Sequence, residues 1–426
     1  MAAVEFSFHF SFEQARRQAK DLHRALLAND VRAVERLHTH HPESPVSAQV
    51  QLADAQLVVA REHGFESWTK LKRYSENQML SQSEDLTDGQ NQYVNGRPWE
   101  EQEVRLRKLA DEALAGCGLN PRKMFVAGHM GNFGYSDFAL AVVTEGPEPS
   151  HLVTVHYPYD HFSLGEVHRQ LDSLCAWLLA LDRDAELEVQ VPIADETGAG
   201  CQLFDHRPDG PEAVCTVQRW IKGRDIAKED EPIDLSPEVM RALGEVLGCI
   251  HQHGQAWPRP EGFNRIGINW VEDVEEVARD HWESRKDNNI SRDDLALLRR
   301  AVEAITDKRK TAGEPWGLTH GDFTPRNCVE DEGCYKPIDF DLCSLTYQFD
   351  DIGWCFVEVE QAEMRRVFLE GYCHVAGKPT DFIRLVEGAL IAARTRRCAW
   401  GGPLPPNLSA ECEKYLAGEP FLFLSS

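Results

Sequence analysis

Positive charge is scarce in this sequence: 45 lysines and arginines stand against 70 aspartates and glutamates, a formal net charge of −25. Nucleic-acid binding needs a basic stripe to displace counterions, so no nucleic-acid partner is expected. The acid excess would favour a cationic ligand. Solubility alone is the plainer reading of it, since net charge does not locate a pocket. Long apolar runs are missing as well. With no stretch of 18 or more apolar residues, no membrane-crossing segment is expected. Met1 to Phe10 lacks a basic start, a long apolar stretch and a small-residue cleavage site, so a secretory signal is not expected. Cysteine is absent from the first 116 residues, and the 12 that follow, from Cys117 to Cys412, form no C-x-x-C pair. That excludes a disulfide scaffold and a zinc ribbon, and reduced thiols in a cytoplasmic protein are expected. Cys328, Cys334 and Cys343 have no histidine at ligand spacing and read as buried small hydrophobes.

What is present is ordinary globular material, 42% hydrophobic and 27% charged over 426 residues, with room for two or three domains. Residues 1–75 read as a small helical module. Apolar positions recur at helix spacing from Phe12 to Leu37, and Leu52 to His63 forms a further helix closed by Gly64. His38, His40 and His41 read as a solvated helix end, with no carboxylate or cysteine alongside to make a metal site. Residues 76–97 are polar, almost devoid of large apolar side chains, and read as a linker. Residues 98–222 turn to short β-rich runs around Met124, Phe138 to Val143 and His151 to His156, then Cys201 to Asp205 and Val214 to Ile221. One helix interrupts them, opened by a Ser163/Glu166 capping box and carrying Leu164, Val167, Leu171, Leu174 and Leu178 on one face. Residues 223–426 are mainly helical, starting from an N-cap at Ser236 followed by Pro237.

The chemistry concentrates in His320-Gly321-Asp322-Phe323-Thr324-Pro325-Arg326-Asn327, followed by Ile338-Asp339-Phe340-Asp341. Asp322 can orient a hydroxyl and accept its proton. Asn327, five residues on, and Asp339, twelve beyond that, offer oxygen ligands to a hard cation. Glu330 to Gly333 can turn the chain in a short hairpin and fold Asp339 back onto the loop. Gly321 permits a tight turn, and His320 reads as a hydrogen-bonding support beneath it.

At these residues the chain resembles the aminoglycoside phosphotransferase and choline kinase-like family, from about Met124 to Trp400. The resemblance implies an α+β, two-lobed protein-kinase-like fold, with a small antiparallel β lobe and a larger helical lobe, here preceded by the small all-α module. It implies Asp322 as catalytic base, Asn327 and Asp339 as magnesium ligands, and ATP or GTP as phosphate donor. Gln218, Arg219 and Trp220 match the hinge that binds the base of the nucleotide, Leu243 to His253 the helix after it, and Asp351 a structural aspartate that steadies the loop. Val386 to Arg394 lies among the helices that form the acceptor pocket in this family. The stretch from Leu52 to Lys72 resembles segments found beside ankyrin-type repeats, and covers one repeat-like unit.

The chain departs from the family at two positions. Thr154 falls where a lysine or arginine holds the phosphates, and Gln170 where its glutamate partner belongs. His156 and Lys123 are the available substitutes. The segment Gly128 to Gly134, with Gly131 at its centre, is either a cover for the phosphates or a plain turn between strands. Two functions therefore stay open. The first is an ATP-dependent phosphotransferase acting on a hydroxyl of a small polar molecule, such as an amino alcohol, amino acid, sugar or aminoglycoside. The second is a pseudokinase that binds a ligand and recruits a protein partner through the helical module. A protein kinase is less favoured, because H-R-D and A-P-E signatures are missing.

Overall fold

The structure, a computed structural model of the chain, describes residues 12–42, 50–62, 67–68, 99–131, 135–158, 163–185, 187–204, 212–227, 235–265, 291–399 and 405–423. The expected linker at 76–97, the turn at Gly64 to Glu66, residues Asn132 to Gly134 of the glycine segment and the turn at Arg207 to Pro211 lie outside these. The chain divides into two compact units, 1–171 with 192–220 and 172–191 with 221–426.

In the first unit, helices α1 (Phe12–Leu27), α2 (Val31–His40) and α3 (Leu52–Glu62) enclose a small core built from Leu22, Leu26, Leu37, Val58 and Val59. Asp30 caps α2 by accepting from Ala33 N at 3.0 Å. The helix-end histidines are not all solvated. His41 is buried, and its Nε2 lies 3.2 Å from Asp54 Oδ1, because α3 returns a carboxylate to the end of α2. Next comes α4 (Trp99–Gly116), which was not foreseen. Its Leu106, Leu109, Ala110, Ala113 and Leu114 recur at helix spacing and cover one face of a five-stranded antiparallel sheet.

That sheet has the order β1-β2-β3-β5-β4, from β1 (Lys123–Gly131), β2 (Tyr135–Val143), β3 (His151–Pro158), β4 (Cys201–Phe204) and β5 (Ala213–Arg219). Strand alternation sorts its residues. Val153, Val155 and Tyr157 join Ala213, Cys215 and Val217 under α4, which leaves Leu152, Thr154 and His156 for the opposite face. Helix α5 (Leu164–Asp184) opens with the capping box: Ser163 N donates to Glu166 Oε2 at 2.8 Å and Glu166 N donates to Ser163 Oγ at 3.2 Å. It belongs to the first unit as far as Leu171 and to the second beyond.

The second unit is helical: α6 (Pro237–Ala256), α7 (Arg292–Ala312), α8 (Phe349–Glu358), α9 (Ala362–Ala376), α10 (Phe382–Ala399) and α11 (Leu408–Ala417). Glycines let two helix pairs approach closely. A Cβ on Gly244 of α6 would lie 2.1 Å from Phe368 O of α9, and one on Gly353 of α8 would lie 2.3 Å from Ala389 O of α10. Between α7 and α8 the chain makes β7 (Trp316–Thr319), β8 (Cys328–Asp331), β9 (Cys334–Pro337) and β10 (Ser344–Tyr347); β6 (Arg224–Asp225) adds to the edge of β8. Cys328 and Cys343 are buried here, but Cys334, expected with them, is exposed on the hairpin. Among the described residues no helix is long and apolar enough to cross a membrane.

Candidate active site

Strands β7 and β10 pair antiparallel with Thr319 opposite Ser344, so the segment between them is a loop closed at its neck. Within it β8 and β9 form a hairpin, and Ile338 N donates to Asn327 O at 2.9 Å. That bond makes Asn327 and Asp339 neighbours although twelve residues separate them. Local hydrogen bonding thus gathers Asp322, Asn327 and Asp339 into one place.

Asp351, in the first turn of α8, fixes the entrance to the loop. Its Oδ2 accepts from His320 N at 2.8 Å and lies 3.0 Å from His251 Nε2, while its Oδ1 accepts from Gly321 N at 2.8 Å. Tyr372 Oη lies 3.0 Å from His251 Nδ1 on the far side. Gly321 has φ +87°, and a Cβ there would lie 2.0 Å from Leu342 O, so only glycine fits. His320 donates from Nε2 to Ile338 O at 3.0 Å, which leaves Nδ1 to accept from Asp322 N at 3.3 Å. Its ring lies 4.3 Å from that of Phe340. Burial lowers the His320 pKa to about 4, so the imidazole is neutral at neutral pH, as this pattern requires.

Asp322 is gripped at both carboxylate oxygens. Trp354 Nε1, from α8, donates to Oδ1, and Asn327 Nδ2 donates to Oδ2 at 2.8 Å and also to the Asp322 carbonyl at 2.8 Å. With its nitrogen committed, Asn327 has Oδ1 as the atom that could hold a cation. Burial, then the nearby Asp339, pushes the Asp322 carboxyl up to about 7 against the opposing effect of its two donors. Burial raises Asp339 as well. Asp339 takes a left-handed backbone at φ +65°, and its N–H donates to Gln190 Oε1 at 2.8 Å. Arg265, buried, donates to the carbonyls of Asp341 at 2.9 Å and Cys343 at 2.8 Å, pinning the return limb.

The set offers two carboxylates and one amide carbonyl, all hard oxygen donors, with the carboxylates short of counter-charge. Those are the properties a divalent cation such as magnesium needs, so the residues fit one.

The expected nucleotide residues lie on the sheet of the first unit. Gly131 ends β1 opposite Ser136. Thr154 and Gln218 are buried, with Thr154 opposite Ala139 and Thr216, and Gln218 opposite Leu152. Arg219 ends β5, and Trp220 N donates to Ser150 O at 3.0 Å. Of the two expected substitutes, Lys123 is exposed at the end of β1 remote from Gly131. His156 shares a face with Thr154, buried, with Nε2 3.2 Å from Thr216 Oγ1.

Four contributors escaped the sequence: Trp354, Gln190, Arg265 and the role of His251. Trp354 alone left a signal, standing three residues after Asp351 on the same helix face. Gln190 and Arg265 act across 149 and 76 to 78 residues of sequence and left none.

Among solved structures, the microcompartment-associated aminopropanol kinase superposes with a TM-score of 0.54 at 21% identity, over 73% of this chain and 94% of that one. An amicoumacin kinase in complex with AMP-PNP, Ca2+ and Ami gives 0.53 at 14%, over 76% and 98%. The GDP and kanamycin complex of APH(2")-IIia gives 0.51 at 11%, over 74% and 95%. At these identities the likeness is one of fold, the protein-kinase-like α+β fold. Comparison with curated proteins gives no match. The phosphotransferase enzyme family APH matches residues 152–383, more than half of the chain, and these include the loop, the hairpin and Asp351. The chain therefore belongs to the APH phosphotransferase enzyme family.

Proposed function

We propose that the protein transfers the γ-phosphate of ATP, or of GTP, to a hydroxyl of a small polar molecule in a magnesium-dependent reaction. The observation that carries this reading is the Asp322 carboxylate, held at both oxygens beside Asn327 and Asp339. Asp322 would align the acceptor hydroxyl and take its proton. Asn327 Oδ1 and Asp339 would hold the cation, which supplies charge neutralisation on the transferring phosphate. Gly131, Thr154 and the stretch Gln218, Arg219 and Trp220 would contact the nucleotide. A solved kinase of similar fold is named for aminopropanol, an amino alcohol, and the acid excess is compatible with a cationic acceptor of that kind.

A second reading, a ligand-binding pseudokinase with a partner on the helical module, is favoured by Thr154 and Gln170. Both are buried and uncharged where the family expects an ion pair. The test is a screen for phosphate transfer from ATP and GTP to hydroxylated amines, sugars and amino acids, with and without magnesium. The proposal expects turnover that Asp322→Asn lowers by about 100-fold or more. Nucleotide binding without transfer to any acceptor would favour the pseudokinase. Neither binding nor transfer would end both readings.

A further inference from the structure

We propose that Trp354 is a positioning residue for the catalytic base, and that one stripe of helix α8 holds the catalytic loop in register. The inference rests on the phosphotransfer reading above. Residues 351, 354 and 358 follow one another at helical spacings of three and four, so they share a face. Each engages a successive part of the loop. Asp351 accepts from His320 N and Gly321 N, Trp354 Nε1 donates to Asp322 Oδ1, and Glu358 Oε2 accepts from Arg326 Nε at 3.1 Å.

The middle contact differs in kind from the other two. A carboxylate turns over a broad range about its last torsion unless its oxygens are held separately. Asn327 holds Oδ2, and Trp354 is what holds Oδ1. Each oxygen then keeps a further lone pair, pointed in one direction, for the incoming hydroxyl. Asn327 is also the cation's ligand in the proposed reaction, whereas Trp354 has no oxygen to give. Its grip on the base therefore does not depend on whether cation or nucleotide is bound. The indole is not simply core filling either. Trp354 keeps partial solvent access and spends its N–H on the Asp322 carboxylate.

The test is Trp354→Phe, which retains an aromatic ring and removes the N–H. With the full chain, magnesium and an accepted substrate, kcat should fall about tenfold to hundredfold, the range for a lost hydrogen bond to a charged group. The apparent nucleotide KM should stay near that of the wild type. A kcat within twofold of wild type overturns the proposal, as does a kcat loss matched by a higher nucleotide KM, which marks a merely structural side chain. A second measurement needs no turnover. In the 15N–1H spectrum of the full chain, the indole signal missing from Trp354→Phe identifies Trp354, and Asp322→Ala should shift that signal upfield in the otherwise unaltered protein. No shift overturns the contact. An inactive wild type removes the phosphotransfer reading by itself, and the spectrum then still decides whether Trp354 clamps Asp322.

Discussion

Replacing Asp351 by asparagine tests the loop at its entrance, because three N–H groups converge on this one carboxylate. His320 N and His251 meet Oδ2, and Gly321 N meets Oδ1. An amide has only one oxygen. Placed at Oδ2, it serves His320 and His251 but turns its NH2 against the Gly321 N–H. Placed at Oδ1, it serves Gly321. His251 can then switch tautomer and accept from the new NH2 while donating to Tyr372, but the His320 N–H is left facing a donor. Either way one loop amide loses its acceptor. A buried donor without a partner costs about 1–3 kcal/mol, and loss of charge from the surviving bonds adds about 1 kcal/mol. Asp351→Asn should therefore lower stability by about 2–4 kcal/mol. Asp351→Ala, which strands all three donors, should lower it by about 3–6 kcal/mol. Urea unfolding followed by tryptophan fluorescence reads both values. An asparagine variant within about 0.5 kcal/mol of wild type, or an alanine variant no worse than asparagine, would refute this account.

Two other predictions concern the same region. Gly353→Ala would put a Cβ 2.3 Å from Ala389 O and 2.4 Å from its carbonyl carbon, so α8 and α10 must separate. Stability should fall by about 1–3 kcal/mol or more, and because α8 carries Asp351 and Trp354, kcat should fall with it; an unchanged melting temperature would contradict so close a crossing. His320 gives a pH signature. Its pKa is lowered from 6.5 to about 4 in the fold, so the unfolded chain takes up a proton first as pH drops. The stability contributed by His320 is thus intact above pH 6.5 and is lost between there and about 4. The advantage of wild type over His320→Gln should shrink across that window by roughly 3 kcal/mol. A constant difference in denaturant titrations would show that His320 is not buried neutral.

The loop chemistry was legible because it is local. Gly321 allows the turn, and the Glu330 to Gly333 hairpin brings Asp339 back to Asn327 through pairing within a dozen residues. Ser163 with Glu166 and Ser236 with Pro237 were equally readable, since a cap is decided within four residues. Other features were not. Helix α4 directly follows a polar stretch, and of its buried face only Leu106, Leu109 and Leu114 are large and apolar, while Ala110 and Ala113 carry little hydrophobic signal. The histidines at the end of α2 read as solvated because Asp54 reaches His41 only once α3 has folded back.

Local sequence thus determined the order of the elements, the caps and turns, and the assembly of Asp322, Asn327 and Asp339, because steric and hydrogen-bonding preferences over a few residues fix those outcomes. Tertiary structure alone decided what holds that set still. Gln190 supports Asp339 across 149 residues of sequence, His251 supports Asp351 across 100, and Trp354 reaches Asp322 across 32. Such contacts depend on how helices cross and on which side chains the crossing brings face to face. That geometry is set by packing of the whole unit, down to the absent side chains of Gly244 and Gly353.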